Sequence, residues 1–137
     1  MAQGAENSNC FVCGENNPIG LKLKFREENN KYLADFIPTT NYQGYDGVLH
    51  GGIVSTLIDE ITAGYMYYKG YKAVTAKLEV RFRRPTPIGE KLTVQGEVIN
   101  QKGKMVEMLG KIILADGSVT AEGKTIVALQ DEKKARR

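Results

Sequence analysis

One stretch of the chain, residues 47–65, holds the residue types that acid–base chemistry needs. It reads GVLHGGIVSTLIDEITAGY and contains His50, the only histidine of the chain. Two glycines follow that histidine, and the adjacent carboxylates Asp59 and Glu60 interrupt an apolar run. A carboxylate taken out of water needs a partner or a chemical role, because burying an unpaired charge is costly. This stretch is therefore the first candidate for a functional site.

The residues after His50 are typical of the start of a helix. Glycine lets another group approach the backbone closely, and the first amides of a helix lack internal acceptors and lie at its positive end. The Gly51 N–H is thus a good donor to a carbonyl oxygen that gains negative charge. Asp59 is suited to act as the nucleophile or as the base that activates water. Together they predict acyl transfer or hydrolysis.

The separation of these two groups predicts an oligomer. Gly51 and Asp59 lie about 12 Å apart along a helix that rises ~1.5 Å per residue. A carbonyl group and two contacts of about 3 Å do not bridge that distance. The two groups must therefore come from different subunits if they act on one carbonyl, and an antiparallel pair of helices would form two equal sites. This spacing predicts a homodimer at least.

The elements around this stretch are one helix and six strands. Apolar residues at helical spacing predict a helix over 51–68. Alternating or apolar runs bounded by turn residues predict strands within 21–25, 31–38, 73–83, 91–101, 105–115 and 118–130. A single helix with apolar residues over much of its circumference and a mostly antiparallel sheet predict an α+β class protein. We expect one curved sheet to wrap the helix, which is the hotdog fold.

Length and composition favour one globular domain. The chain has 137 residues, 42% of them apolar and 26% charged, with a net charge of +3. We expect a disordered segment over 1–9, a domain over 10–129 and a charged tail over 130–137. The small positive charge does not favour nucleic acid but suits an anionic small ligand. With neither a long apolar run nor a signal peptide, the chain is predicted to be cytoplasmic and not to bind membranes.

The two cysteines, Cys10 and Cys13, form a C-x2-C pair in the sequence CFVCG. Such a pair is half of a zinc site or a redox pair. A tetrahedral zinc needs two more ligands, while the chain has no third cysteine and its one histidine lies far from the pair. A redox pair would follow a strand, whereas a polar segment precedes this one. The interpretation favoured here is two reduced thiols in a turn that packs on the domain, with no metal.

The motif HGGIVSTLID resembles the hotdog-fold acyl-CoA thioesterases of the small phenylacetate-pathway type. Their pattern is His-Gly-Gly, six variable residues and an acidic residue, met here by His50, Gly51, Gly52 and Asp59. Three further segments, CFVCGENNPIGLKLKF, YQGYDGVLHGG and VTAKLEVRFRRPTPIGE, resemble a bacterial subgroup and its flanking sequences. The resemblance extends over nearly all of residues 10–129.

The resemblance implies a role for each matching residue. The Gly51 amide polarises the thioester carbonyl, and Asp59 of the facing subunit attacks it or activates water. His50, with Gly52 beside it, positions the thioester. Thr75 matches a hydroxyl that orients the attacking water. The resemblance also implies no cofactor, and a dimer that often pairs into a tetramer.

Two positions depart from the family pattern. Many relatives carry asparagine six positions before the histidine, where this chain has Gly44; Gln43 is a candidate to supply an amide from the neighbouring position. Strict alternation of the strand places Val74 and Ala76 towards the helix and Thr75 away from it. Thr75 then faces a partner subunit, is turned by a bulge, or is an ordinary strand threonine.

Basic and aromatic residues suggest where an acyl-CoA would bind. Arg83 and Arg84, in the sequence RFRR, are candidates for the phosphates of coenzyme A, although a solvated strand end explains them equally well. Arg81 shares the outward face with Arg83, and Lys102 and Lys104 of a predicted hairpin are weaker candidates. The tyrosines that close the helix either line an acyl tunnel or pack its end; they are Tyr65, Tyr67 and Tyr68.

These features predict an acyl-CoA thioesterase that hydrolyses a thioester to a free acid and coenzyme A. The alternatives are a hotdog dehydratase or hydratase acting on 3-hydroxyacyl or enoyl thioesters, and a non-catalytic acyl-CoA binding module. Only hydrolysis releases a free thiol from a saturated acyl-CoA. An assay for thiol release therefore distinguishes a thioesterase from both alternatives.

Overall fold

One long helix packs against one antiparallel sheet. The computed structural model describes residues 9–130, so the predicted segments 1–9 and 130–137 lie outside the described residues except at Asn9 and Gln130. The helix, α1, spans Gly51–Tyr68, and a single 3-10 turn precedes it at Thr40–Tyr42. The strands are β1 (Phe25–Glu28), β2 (Lys31–Phe36), β3 (Ala73–Phe82), β4 (Leu92–Lys102), β5 (Met105–Leu114) and β6 (Val119–Leu129).

The sheet order is β1-β2-β4-β5-β6-β3, with every neighbouring pair antiparallel. Helix α1 packs against β2, β3, β4, β5 and β6, so the sheet curves around it. The helix contributes Leu57, Ile58 and Ile61 to the core, each almost fully buried. These residues pack on sheet side chains such as Val94 and Met108. The predicted α+β class and hotdog fold are confirmed.

A row of glycines across the sheet lets the helix lie close to it. Gly96 of β4 pairs with Gly110 of β5, which pairs with Gly123 of β6. A Cβ atom on Gly96 would lie 2.3 Å from the carbonyl oxygen of Ile61, closer than any real contact. A Cβ atom on Gly123 would lie 2.8 Å from the Ile58 side chain. Glycine is required here by the approach of the helix, and this contact fixes the height of α1 above the sheet.

The predicted first strand begins later than its apolar alternation suggests. Leu21 and Leu23 are buried, as the pattern of 21–25 indicates, but β1 starts only at Phe25. The amides of Leu21 and Leu23 donate to the carbonyls of Phe11 and Val12, both at 2.9 Å. The alternation within residues 21–25 therefore reflects the burial of Leu21 and Leu23 against the N-terminal turn that contains the cysteines. It does not reflect strand pairing in the sheet.

The predicted orientation of the β3 residues is wrong at its start because the strand contains a bulge. The pairing of β3 with β6 shifts between Thr75 and Lys77, so the intervening Ala76 has no pairing partner. Thr75 therefore faces α1, whereas Val74 is 51% exposed. Of the two alternatives to an ordinary strand threonine, the bulge is the one that the structure shows.

Across residues 9–130, no helix combines the length and the apolar content that crossing a membrane would require.

Candidate active site

His50 caps the N-terminus of α1 with its own side chain. The backbone of His50 has φ −58° and ψ 134°, outside the helical region, and its Nδ1 accepts the Gly52 N–H at 2.9 Å. The backbone N–H of His50 donates to the Tyr42 carbonyl at 2.9 Å, which ties the helix start to the preceding loop. Because Nδ1 accepts a hydrogen bond, the neutral ring carries its proton on Nε2. His50 is therefore a structural cap whose Nε2–H is not used by that cap.

Gly51 lies in the chain between His50 and Gly52, the two residues that this capping hydrogen bond joins. Its own backbone N–H has no acceptor among residues 9–130. It is the first N–H of the helix, at the positive end of the helix dipole. A Cβ atom on Gly51 would lie 3.5 Å from the Phe82 ring, so one side chain covers this end of the helix. An unpaired and preoriented donor of this kind is suited to an oxyanion.

An open pocket of about 640 Å³ lies at this helix start. Its lining includes His50, Gly51, Phe82, Arg84 and Tyr45. The remaining lining comes from Gly44, Val48, Leu49, Val54, Pro85 and Thr86, so the surface is mostly apolar. An apolar cleft with a few convergent polar groups is typical of a small-molecule site.

Asp59 lies two turns further along α1, half-buried. Its Oδ1 accepts the hydroxyl of Thr75 at 2.5 Å, a contact between the helix and β3. A hydroxyl donated to a carboxylate fixes the orientation of that carboxylate. Within one chain, the same helix separates this pair from Gly51 by about 12 Å. The structure thus brings Asp59 to Thr75, and His50 to Gly51, but it does not bring the two pairs together.

In the loop before His50, the Gln43 side chain makes a hydrogen bond within the loop itself. The Gln43 carboxamide oxygen accepts the Gly47 N–H at 3.1 Å, so this amide braces the loop. Gly44, at the family's asparagine position, lies against His50: a Cβ atom there would be 3.4 Å from the His50 Cα. At Gly44 the pocket is therefore lined by backbone alone.

The two predicted phosphate-binding arginines differ in their surroundings. Arg83 pairs with Glu122 through two hydrogen bonds, one of them 2.9 Å from Nε to Oε2. This pair holds the pKa of Glu122 below its usual range. Arg84 lines the pocket and makes no salt bridge within the described chain. Arg84 is thus the better placed of the two, while Arg81, Lys102 and Lys104 do not line this pocket.

The helix-end tyrosines pack on the sheet. Tyr65 is fully buried and stacks on Tyr32 with ring centroids 4.9 Å apart, and its hydroxyl donates to Glu27 at 2.5 Å. The ring of Tyr68 is tilted against Tyr32 at 5.2 Å. For Tyr65 and Tyr68, packing of the helix end is therefore the observed arrangement.

Glu60 and the cysteines form a cluster that the sequence pattern did not indicate. The carboxylate of Glu60 and the sulfurs of Cys10 and Cys13 all lie within 4.8 Å of one another. Burial, and to a smaller degree the charge of Asp59, raises the pKa of Glu60 to about 7. Burial also raises the pKa of Cys13 to about 12, with added contributions from Cys10 and Glu60. In the sequence, only the C-x2-C spacing pointed to this cluster. That spacing does not indicate which other residue lies beside the two cysteines.

A family model supplies the decisive comparison. The model of the thioesterase superfamily matches residues 46–121, more than half of the chain. The chain belongs to the thioesterase superfamily. The matched segment includes all four motif residues, His50, Gly51, Gly52 and Asp59, so the resemblance drawn from that motif is confirmed.

Individual thioesterase-superfamily proteins resemble this chain over different spans. It is 31% identical over 75 residues to acyl-coenzyme A thioesterase THEM4 of Xenopus laevis, a match that covers 54% of this chain and 33% of that protein. The solved structure of the thioesterase superfamily protein RHA08564 is 29% identical, with a TM-score of 0.78 over 84% of this chain and 60% of its own. The chain thus spans about a third of the length of the Xenopus laevis relative and 60% of the length of RHA08564.

The fold likeness also extends to the E. coli PaaI protein from the phenylacetic acid degradation operon. That structure has a TM-score of 0.77 with 18% identity, covering 88% of this chain and 90% of its own. At this identity, the comparison shows a shared fold.

Proposed function

We propose that the protein hydrolyses acyl-CoA thioesters to a free carboxylic acid and coenzyme A. The observation that carries this proposal is the carboxylate of Asp59, fixed by Thr75 on the helix whose first amide, Gly51, has no acceptor within the described chain. A carboxylate base and an unpaired oxyanion donor are the two groups that ester or thioester hydrolysis needs. The name of the Xenopus laevis relative supports coenzyme A as the thiol.

The active site is formed by two subunits. Strand β3 is an edge of the sheet, hydrogen-bonded on one side to β6. It exposes two large apolar side chains, Val74 by 51% and Phe82 by 55%, which is unusual for a free edge. Pairing of β3 with β3 of a second copy about a two-fold axis would continue the sheet and place the helices antiparallel. Gly51 of one subunit would then lie opposite Asp59 of its partner.

Each residue has a defined step in this arrangement. The thioester carbonyl enters the pocket and accepts a hydrogen bond from the Gly51 N–H, while His50 donates from Nε2. Asp59 of the partner subunit either removes a proton from water, whose oxygen adds to the carbonyl carbon, or adds to that carbon itself to form a mixed anhydride that a water molecule then hydrolyses to the free acid and the Asp59 carboxylate. In either route the carbon–sulfur bond breaks, and the coenzyme A thiolate leaves and takes up a proton. Thr75 positions Asp59 for this attack.

The remaining substrate contacts follow from the pocket. Arg84 at its rim binds a phosphate of coenzyme A, since its guanidinium has no salt-bridge partner within the described chain. Gly52 keeps the helix start free of a side chain beside His50: a Cβ atom there would be 3.1 Å from the His50 Nδ1. Arg83 contributes only if the Glu122 pair opens. The roles of these residues, the higher oligomer and the cytoplasmic location remain predictions.

The test is a panel of saturated, aromatic and enoyl acyl-CoAs with colorimetric detection of the released thiol. We expect thiol release from at least one saturated or aromatic member. An enzyme that consumes enoyl-CoA without thiol release would instead be a hydratase, and binding without turnover of any member would indicate an acyl-CoA binding module.

A further inference from the structure

The cluster of Cys10, Cys13 and Glu60 lies on the side of α1 that faces the N-terminal turn. Its three ligand atoms, two sulfurs and one carboxylate oxygen, lie within 4.8 Å of one another. Ligand atoms around a tetrahedral zinc lie about 3.5–4 Å apart, given Zn–S of ~2.3 Å and Zn–O of ~2.1 Å. Side-chain adjustments of about 1 Å therefore bring these three atoms into coordinating distance.

The backbone around the cluster is fixed by several contacts. The Gly14 N–H donates to the Cys10 carbonyl at 2.9 Å, which closes the turn that presents both sulfurs. Val12, between them, is buried in the core. On the helix, the Glu60 side chain lies over Gly64, where a Cβ atom would be 3.0 Å from its Oε2. Both halves of the cluster are therefore held in place before any ligand arrives.

A second observation is a buried hydroxyl without a hydrogen-bond partner in the described part of the chain, on a residue that the charges of Glu60 and Cys13 influence. The hydroxyl of Tyr32 is fully buried and has no hydrogen-bond partner among the described residues. Burial raises the pKa of Tyr32, and the charges of Glu60 and Cys13 raise it further. The ring is stacked between Phe25 and Tyr65, each with its centroid 4.9 Å away. A buried donor of this kind costs stability unless something accepts its hydrogen bond.

The three ligand atoms, two sulfurs and one carboxylate oxygen, favour particular metal ions. Two thiolates and one carboxylate suit zinc and similar transition metals, whereas magnesium and calcium prefer oxygen ligands alone. C-x2-C spacing is common in zinc sites. Neither cysteine nor Glu60 is used by the proposed hydrolysis, so the site needs an explanation of its own.

We propose that Cys10, Cys13 and Glu60 bind one zinc ion, which fastens the N-terminal turn to helix α1 one residue away from Asp59. A water molecule takes the fourth position. Binding releases the two thiol protons, and the positive ion compensates the charge of Glu60. The inference does not depend on the proposed function, since it concerns a different cluster of side chains.

The test uses the full-length chain, reduced and freed of metal with a chelator, then titrated with Co²⁺ or Zn²⁺. We expect one ion per chain, a thiolate-to-cobalt charge-transfer band, and protection of both thiols from a thiol reagent once zinc is added. C13S should abolish the band, and E60Q should weaken zinc binding at least about tenfold. D59N is the matched control: it changes the neighbouring carboxylate, which is not a ligand, and should alter zinc affinity far less than E60Q does.

The proposal is overturned if both thiols react equally fast with and without saturating zinc, or if the cobalt band is absent from the wild-type chain. It is also overturned if D59N and E60Q lower zinc affinity alike, because the ion would then bind surface carboxylates. Circular dichroism checks that each variant is folded. Should C13S not fold, thiol protection of the wild-type chain and the affinity of E60Q decide the question.

Discussion

The hydroxyl of Thr75 donates a hydrogen bond to Oδ1 of Asp59 across 2.5 Å, joining the strand β3 to the middle of helix α1. This contact depends on the bulge at Ala76, because an unbroken strand would turn Thr75 away from the helix. The bulge thus aims a hydroxyl at the carboxylate that the motif assigns to the chemistry. Bulges with this function are frequent next to active sites.

Replacing Asp59 by asparagine should stop turnover without unfolding the protein. The amide oxygen still accepts the Thr75 hydroxyl, but it cannot attack the thioester or take a proton from water. We expect kcat for a good acyl-CoA substrate to fall about 10²–10⁴-fold, with a nearly unchanged thermal midpoint. Steady-state thiol release measures the effect, and E90Q, which changes an exposed turn carboxylate, is the control. A D59N enzyme within tenfold of wild type would remove Asp59 from the mechanism.

Thr75 is expected to act through the hydroxyl it presents to Asp59. T75V keeps the shape of the side chain and removes the donor, a loss of about 1.5–3 kcal/mol for a hydrogen bond to a charged group. That loss corresponds to a fall in kcat of roughly 10–100-fold, with KM changed little, if the contact positions Asp59. T75S keeps the hydroxyl and should restore most of the rate. Equal defects in the two variants would assign Thr75 a packing role instead.

The Gly51 amide can be removed while the helix is kept. Proline is well tolerated as the first residue of a helix, and the ψ of 134° at His50 suits a residue that precedes proline. G51P therefore removes the N–H donor, whereas G51A adds a side chain and retains it. We expect G51P to lower kcat about 10²–10³-fold, as loss of an oxyanion donor does, and G51A to have a much smaller effect. Similar rates for the two variants would mean that the amide does not contact the carbonyl oxygen.

The glycine row beneath α1 predicts a stability effect separate from catalysis. A methyl group on Gly96 would meet the Ile61 carbonyl at 2.3 Å, so the helix backbone must move. We expect G96A to lower the free energy of unfolding by about 3 kcal/mol and the thermal midpoint by roughly 10 °C. G44A, whose new Cβ atom would make only ordinary contact, should change the midpoint little. Differential scanning calorimetry compares the two, and an unchanged midpoint for G96A would contradict the close approach.

Local sequence patterns predicted the helix well because its determinants are local. The glycine pair after His50, the apolar spacing and the KGYK end lie within the segment itself, and α1 has the predicted bounds, Gly51–Tyr68. The hairpin strands β4, β5 and β6 were also visible as runs between turn residues. Each of these elements is specified by residues close to one another in the chain.

Features set by distant contacts were not predictable in the same way. Alternation contains no sign of the bulge at Ala76, which appears only when β3 pairs with β6. The pairing of Arg83 with Glu122 joins residues 39 positions apart. The approach of Glu60 to the cysteines likewise depends on where the N-terminal turn packs. Such contacts arise from tertiary packing. A local stretch of sequence contains only one of the two partners and does not show which distant residue will meet it.

The claim that the active site is shared between subunits is tested most directly by mixing two inactive variants. Purified D59N and G51P chains are unfolded together, refolded and assayed for thiol release beside each variant treated alone. If Gly51 and Asp59 act from different subunits, a mixed dimer has one site with both groups intact, and the mixture should regain about a quarter of wild-type activity. If both groups act within one chain, every site keeps a defect, and activity no higher than that of the separate variants would contradict the shared site.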